Sequence, residues 1–235
     1  MIKLGDIQIN VLIKEDLFIR PTQLKWVITV NAEMIVLAHK NTKLMSILNE
    51  HYTTIDGQIP FWVSRLRYHG LRLEKLSGSD LIYDFCDFAQ KNRYGIFLLG
   101  GKLASNIVSV KRIKERYKIA VGGYSPPLLP LPFTREEDTL ILRQIEEAHA
   151  DILFVAFGAL KQELWIDQHF EELKNYGIKW VLGVGGTLEF LSGQIRRAPR
   201  IVQNIGLEGV YRLIQEPKKY RLVRLLKSLL MFKYI

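Results

Sequence analysis

Three apolar runs of this chain stop at glycine beside groups that can meet an anion: Gly100-Gly101-Lys102, Gly158-Ala159-Leu160-Lys161-Gln162 and Gly183-Val184-Gly185-Gly186-Thr187. Glycine lets backbone N–H groups approach a ligand closely, and a helix that begins there favours negative charge. A tight strand-to-helix turn explains any one of the three. Three together, with Lys102 and Lys161 beside two of them, point to a phosphate-binding edge suited to a diphosphate. The third run is not a dinucleotide fingerprint, because G-x-G-x-x-G counted from Gly183 meets Leu188 where its last glycine is needed. No G-x-x-x-x-G-K-[ST] phosphate loop occurs either.

A carboxylate, Asp56, follows another apolar run in Ile55-Asp56-Gly57. Local sequence favours an Asp-Gly turn. The alternative is a carboxylate at a strand end, facing a crevice and able to take a proton from a sugar hydroxyl. The neighbouring segment Thr29-Val30-Asn31-Ala32-Glu33 offers Thr29 and Asn31 as hydrogen-bonding groups, although Asn31 serves equally as a helix cap. Ser77-Gly78-Ser79-Asp80 has the same two meanings, helix start or polar contact. The single cysteine, Cys86, lies in the apolar stretch LIYDFCDFA and reads as a small buried residue. The five histidines show no H-x-x-x-H or H-E-x-x-H spacing, so no zinc site is expected.

The elements that must position these groups alternate. Apolar, β-rich runs at 26–30, 52–55, 95–100, 117–121, 151–157 and 179–184 predict strands. Helical patterns lie between them at 32–50, 59–68, 79–92, 102–116, 134–149 and 161–175, the fifth opened by a capping box of Thr134 and Glu137. Such alternation predicts an α/β fold, Rossmann-like, with a mostly parallel sheet and helices on both faces. Ligands of these sheets bind at the carboxyl ends of the strands. The proline-rich segment 122–132 predicts a long loop.

Charge divides the chain. Residues 194–235 carry ten Lys/Arg and two acids, which is +8 of the total +9. Leu222, Val223, Leu225, Leu226, Leu229, Leu230, Met231 and Phe232 interleave with the basic residues there. This mixture suits a membrane-surface helix better than a solvated nucleic-acid arm. A helix packed on the body, or across a homo-oligomer interface, is the plainer alternative. The expected organisation is an α/β domain over 1–195 and a basic amphipathic helical appendage over 196–235. No stretch of eighteen apolar residues occurs, and the first residues lack the apolar core of a signal peptide, so a cytoplasmic protein held peripherally at the membrane is expected.

Taken in order, TVNAE (29–33), IDG (55–57), SGSDL (77–81), FLLGGK (97–102), DILFVAFGALKQELW (151–165), GVGGTLEFLSGQIRRAPR (183–200) and GLEGVYRLIQEPKKY (206–220) resemble the WecG/TagA/CpsF family of bacterial glycosyltransferases. The resemblance spans about Thr29 to Tyr220. It implies inverting transfer of a hexose, namely N-acetylmannosamine, its uronic acid or glucose, from a UDP-sugar to a saccharide on a polyprenyl diphosphate. It also implies a place in teichoic acid, common antigen, capsule or exopolysaccharide assembly, and no bound metal. Asp56 falls on the family's proposed base, Thr29 on the threonine of its strand-end segment and Gln162 on a donor contact. Asn31 and the glycine ends (Gly100, Gly101, Lys102, Gly158, Lys161, Gly185, Gly186) would complete the donor site. Lys75, Arg197, Arg212, Arg221 and Arg224 are candidates for the acceptor diphosphate. The chain departs from the family at Lys75 (commonly Arg), Leu160 (Pro), Gly209 (Trp) and Ile55 (Pro). Lysine keeps the charge but loses the planar fork. A nucleotide-binding oxidoreductase lacks its third glycine here. A nucleic-acid-binding protein lacks a helix-turn-helix, RNP or zinc pattern.

Overall fold

The computed structural model describes residues 1–127, 132–215, 217 and 219–235, with every side chain there except those of Tyr220 and Arg224. The side chain of Arg224 and residues 128–131 of the proline-rich segment thus lie outside the described residues. In chain order the elements are β1 (Ile2–Leu4), β2 (Ile7–Ile9), β3 (Lys25–Val30), α1 (Ala32–Ala38), α2 (Thr42–Glu50), β4 (Tyr52–Ile55), α3 (Gln58–Arg67), α4 (Gly78–Asn92), β5 (Ile96–Gly100), α5 (Leu103–Tyr117), β6 (Val121–Tyr124), α6 (Arg135–Glu147), β7 (Ile152–Ala156), α7 (Lys161–Gln168), α8 (Phe170–Asn175), β8 (Trp180–Gly183), α9 (Thr187–Leu191), α10 (Arg200–Asn204), α11 (Glu208–Gln215) and α12 (Lys219–Ser228), with a 3-10 turn at Leu229–Lys233.

The main sheet has the order β4-β3-β8-β7-β5-β6, and β3/β8, β8/β7, β7/β5 and β5/β6 all pair in parallel. This is the expected α/β, Rossmann-like class. By compactness the chain forms two units. One contains residues 1–19, 28–77 and 195–235, and the other 20–27 and 78–194. In the second unit β5, β7 and β8 are buried along their whole length, as fully covered parallel strands require. Phe85 of α4 packs edge-on against Trp180 at 5.2 Å and Phe154 at 6.3 Å.

Four local predictions need correction. The strand expected at 117–121 lies at Val121–Tyr124, because α5 runs on to Tyr117 and stops only where Lys118 turns left-handed at φ 54°. Gly122 and Gly123 therefore belong to an edge strand and not to the loop expected over 122–132. A Cβ on Gly123 would lie 2.4 Å from Asn106 Oδ1, so only glycine lets β6 sit this close to α5. The helix expected over 32–50 is two, since Asn41 leaves the helix and caps α2 by accepting from Leu44 N at 3.0 Å. The pattern over 161–175 likewise divides at His169. The antiparallel β1–β2 hairpin was not anticipated.

Candidate active site

Asp56 sits where β4 gives way to α3, so the chain passes from strand to helix there and not through a hairpin turn. Its backbone N–H donates to Val30 O at 3.0 Å, which ties the end of β4 to the end of β3. Gly57 caps α3 at φ 84°, a conformation that favours glycine, and its backbone helps hold the Asp56 carboxyl down. Asn31 caps α1, its Oδ1 accepting from Met34 N at 3.0 Å, and it also lines the cavity beside Asp56, where its side chain helps keep that carboxylate ionised. Segment 74–77 is drawn alongside by Leu76 N to Ile55 O at 2.8 Å and Thr54 Oγ1 to Leu76 O at 2.9 Å. Lys75 is thereby set to donate to Gln58 Oε1 at 3.0 Å.

The C-terminal helices of the same unit carry arginines to these groups. Arg196 and Gln215 clasp each other, Arg196 N donating to Gln215 Oε1 at 3.2 Å and Gln215 Nε2 to Arg196 O at 2.8 Å. That clasp fixes the backbone just before Arg197. Gly206, at φ 78°, ends α10 against α3, where a Cβ would lie 3.6 Å from Gln58 and 3.8 Å from Trp62. At Gly209, where the family usually has Trp, a Cβ would already meet Leu225 at 3.2 Å, so α12 lies where a larger side chain would go. The end of the chain returns to the end of α1: Met231 is fully buried, and Tyr234 stacks on His39 with ring centroids 4.4 Å apart.

Together these segments enclose a cavity of about 250 Å³ lined by Asn31, Asp56, Lys75, Arg197, Arg212 and Arg221 among others. It also takes in Glu33, Gln58, Gln203, Glu208 and Ser228, none of which the sequence singled out. Thr29 is half-buried in β3 and does not line it. Burial raises the Asp56 carboxyl to about 6, and the negative charge of Glu208 adds to the rise; Arg212 and the hydrogen bonds from Asn31 and Gly57 oppose it. A carboxylate so raised stays mostly ionised at neutral pH yet holds a proton more readily than an ordinary aspartate, which is what proton abstraction asks of it. The cavity therefore offers one basic carboxylate among several cations. That set can take a proton from a hydroxyl while gripping an anionic group of the same molecule.

The glycine-rich strand ends belong to the second unit. Gly100 and Gly101 take φ of 89° and 72°, and Gly101 N donates to Ala156 O at 3.1 Å. Added Cβ atoms there would strike Phe157 and Leu188 at 2.8 and 2.9 Å. Gly158 and Gly185 are also left-handed, at φ 89° and 49°, but face open space. Lys102 and Lys161 are exposed at the starts of α5 and α7. Gln162 is buried, donating to Glu163 Oε1 at 2.8 Å and accepting from Gly185 N at 3.1 Å. It lies so close to Gly183 that a Cβ there would be 2.3 Å from its Nε2. Gln162 thus binds the loop after β8 to the first turn of α7. Leu160 takes φ 67° and ψ −44°, a conformation that the family's usual proline cannot adopt.

An α/β enzyme with glycine-lined strand ends and a carboxylate among cations has the parts of a sugar transferase. The sequence model of the Glycosyl transferase WecG/TagA/CpsF family matches residues 6–234, nearly the whole chain, and the chain belongs to that family. It is a glycosyltransferase of cell-surface polysaccharide synthesis, with a sugar donor and an acceptor as its substrates. Among the described residues, no helix is long and apolar enough to cross a membrane, and no group of three or more His, Cys, Asp and Glu is placed to hold a metal ion.

Proposed function

We propose that this enzyme moves a hexose, N-acetylmannosamine or its uronic acid or glucose, from a UDP-sugar to a saccharide on a polyprenyl diphosphate, with inversion at the anomeric carbon. The observation that carries this reading is the cavity that unites Asp56 with Lys75, Arg197, Arg212 and Arg221. Asp56 takes the proton of the acceptor hydroxyl as that oxygen attacks the anomeric carbon and the bond to UDP breaks. The arginines hold the acceptor's diphosphate, for which their planar donor forks are suited. Thr29 lies in the strand that leads to Asn31.

The donor's diphosphate is assigned to the glycine ends at Gly100-Gly101, Gly158 and Gly185-Gly186. Lys102, Lys161 and backbone N–H groups meet the charge of the departing UDP, so no bound metal is needed. Gln162 contributes by holding the loop at Gly185. The acceptor's lipid is met at the membrane surface by the C-terminal helices, where Leu222, Leu226, Leu229, Leu230 and Phe232 are exposed among basic residues.

The test is a panel of UDP-sugars offered with a synthetic polyprenyl-diphosphate-GlcNAc acceptor, with the lipid product weighed by mass spectrometry. One added hexose is expected, at a rate unchanged by EDTA. No product with any donor in the panel would overturn the reading.

A further inference from the structure

Glu208 is a carboxylate in a cavity that, on the proposed function, receives a diphosphate. It opens α11, and its Oε1 accepts from Arg212 Nη2, one turn on, at 2.5 Å. On an open helix surface such a pair contributes little. Here both side chains are about three-quarters shielded, at 27% and 28% exposure, and both line the cavity. The other charged groups facing it are Asp56, Glu33, Lys75, Arg197 and Arg221. Cations gathered this closely repel one another, and a guanidinium on a flexible stem escapes that repulsion by swinging towards solvent. A carboxylate on the same helix, one turn away, prevents this.

We propose that Glu208 is a positioning residue for Arg212, holding the guanidinium on the cavity wall in the orientation that meets a diphosphate, without touching the ligand itself. The inference rests on the acceptor-binding assignment above. It makes a prediction opposite to that of charge alone. Glu208→Gln makes the cavity more positive by one charge, so simple electrostatics predicts tighter binding of anions. Loss of positioning predicts weaker binding.

The experiment titrates inorganic pyrophosphate calorimetrically into the full chain as wild type, Glu208→Gln, Glu208→Asp, Arg212→Ala and the Glu208→Gln/Arg212→Ala double variant, each first checked by thermal melting. Glu208→Gln should weaken binding about tenfold, the size of a coupling between contacting charged groups. Glu208→Asp, which keeps the charge, should lose less. The double variant should bind no worse than Arg212→Ala. Glu208→Gln binding as tightly as wild type or tighter overturns the proposal, as does a full additional loss in the double variant.

A second readout is the transfer assay. Glu208→Gln should raise KM for the lipid acceptor about tenfold, with kcat at pH 8 within a few-fold of wild type. It should also move the acidic limb of the rate to lower pH, because the Asp56 carboxyl has lost an anionic neighbour. An unmoved limb with an unmoved KM counts against the proposal. Failure of wild type to transfer any sugar would refute the function alone, because the pyrophosphate series judges Glu208 without it.

Discussion

Asn31 ties the first turn of α1 to the ionisation of Asp56. Its oxygen accepts from Met34 N at 3.0 Å, which leaves the amide nitrogen as the end able to favour the charged carboxylate. The helix cap thereby orients the amide, and the amide favours the ionised form of the carboxylate. Asn31→Ala should cost about 1 kcal/mol of stability through loss of the cap and shift the acidic limb of activity to higher pH. Asn31→Ser should restore the cap and leave the pH shift. Thermal melts and a pH–rate profile separate the two effects.

Asp56→Asn should reduce transfer roughly 10²–10⁴-fold, the range for loss of a general base, with donor binding retained. The same variant should be more stable than wild type. Asp56 is raised from 3.8 to about 6 on folding, so the folded state binds its proton more tightly than the unfolded state. Stability is therefore lost as pH rises from about 4 to about 6 and stays lost above that. At pH 7.5 the asparagine, which cannot ionise, should gain about 1–3 kcal/mol. A denaturant titration giving equal or lower stability would contradict this account of the site.

The wild-type rate should fall below about pH 6, tenfold per unit, as the Asp56 carboxyl takes up its proton. The plateau should begin near pH 7. A profile flat down to pH 4.5 would mean that Asp56 does not act as the base.

Replacing Leu222, Leu226, Leu229 and Phe232 together by Gln should leave the fold intact, because all four are about half exposed. Sedimentation with anionic vesicles should drop at least tenfold, since four apolar side chains no longer leave water. Met231→Gln should instead lower the melting temperature, because that side chain is fully buried. Vesicle binding unchanged in the fourfold variant would place the lipid contact elsewhere.

Where side-chain periodicity was strong, the fold was legible. The apolar runs at β3, β4, β5, β7 and β8 and the Thr134 cap of α6 were all read from residues alone. Strand β6 was not, because VGGY has no apolar run and its glycines serve close approach to α5. The hairpin at Ile2–Ile9 alternates correctly, with Ile2, Leu4, Ile7 and Ile9 inward, but strands of three residues are too short for a pattern to stand out. Asp56 was ambiguous locally because Asp-Gly is ordinary turn chemistry, and only the family resemblance favoured the base over the turn. Glu208 was invisible. Its importance comes from a partner one turn on and from a cavity whose walls join segments more than a hundred residues apart.

That separation matters during synthesis. The cavity needs Asn31 to Ser77 from the first third of the chain and Arg197 to Ser228 from near its end. While the ribosome is still translating, Asp56 is already made but its arginine wall is not. A nascent chain, or one cut short before Glu208, therefore holds the base without Arg212 and Arg221 and should be inactive.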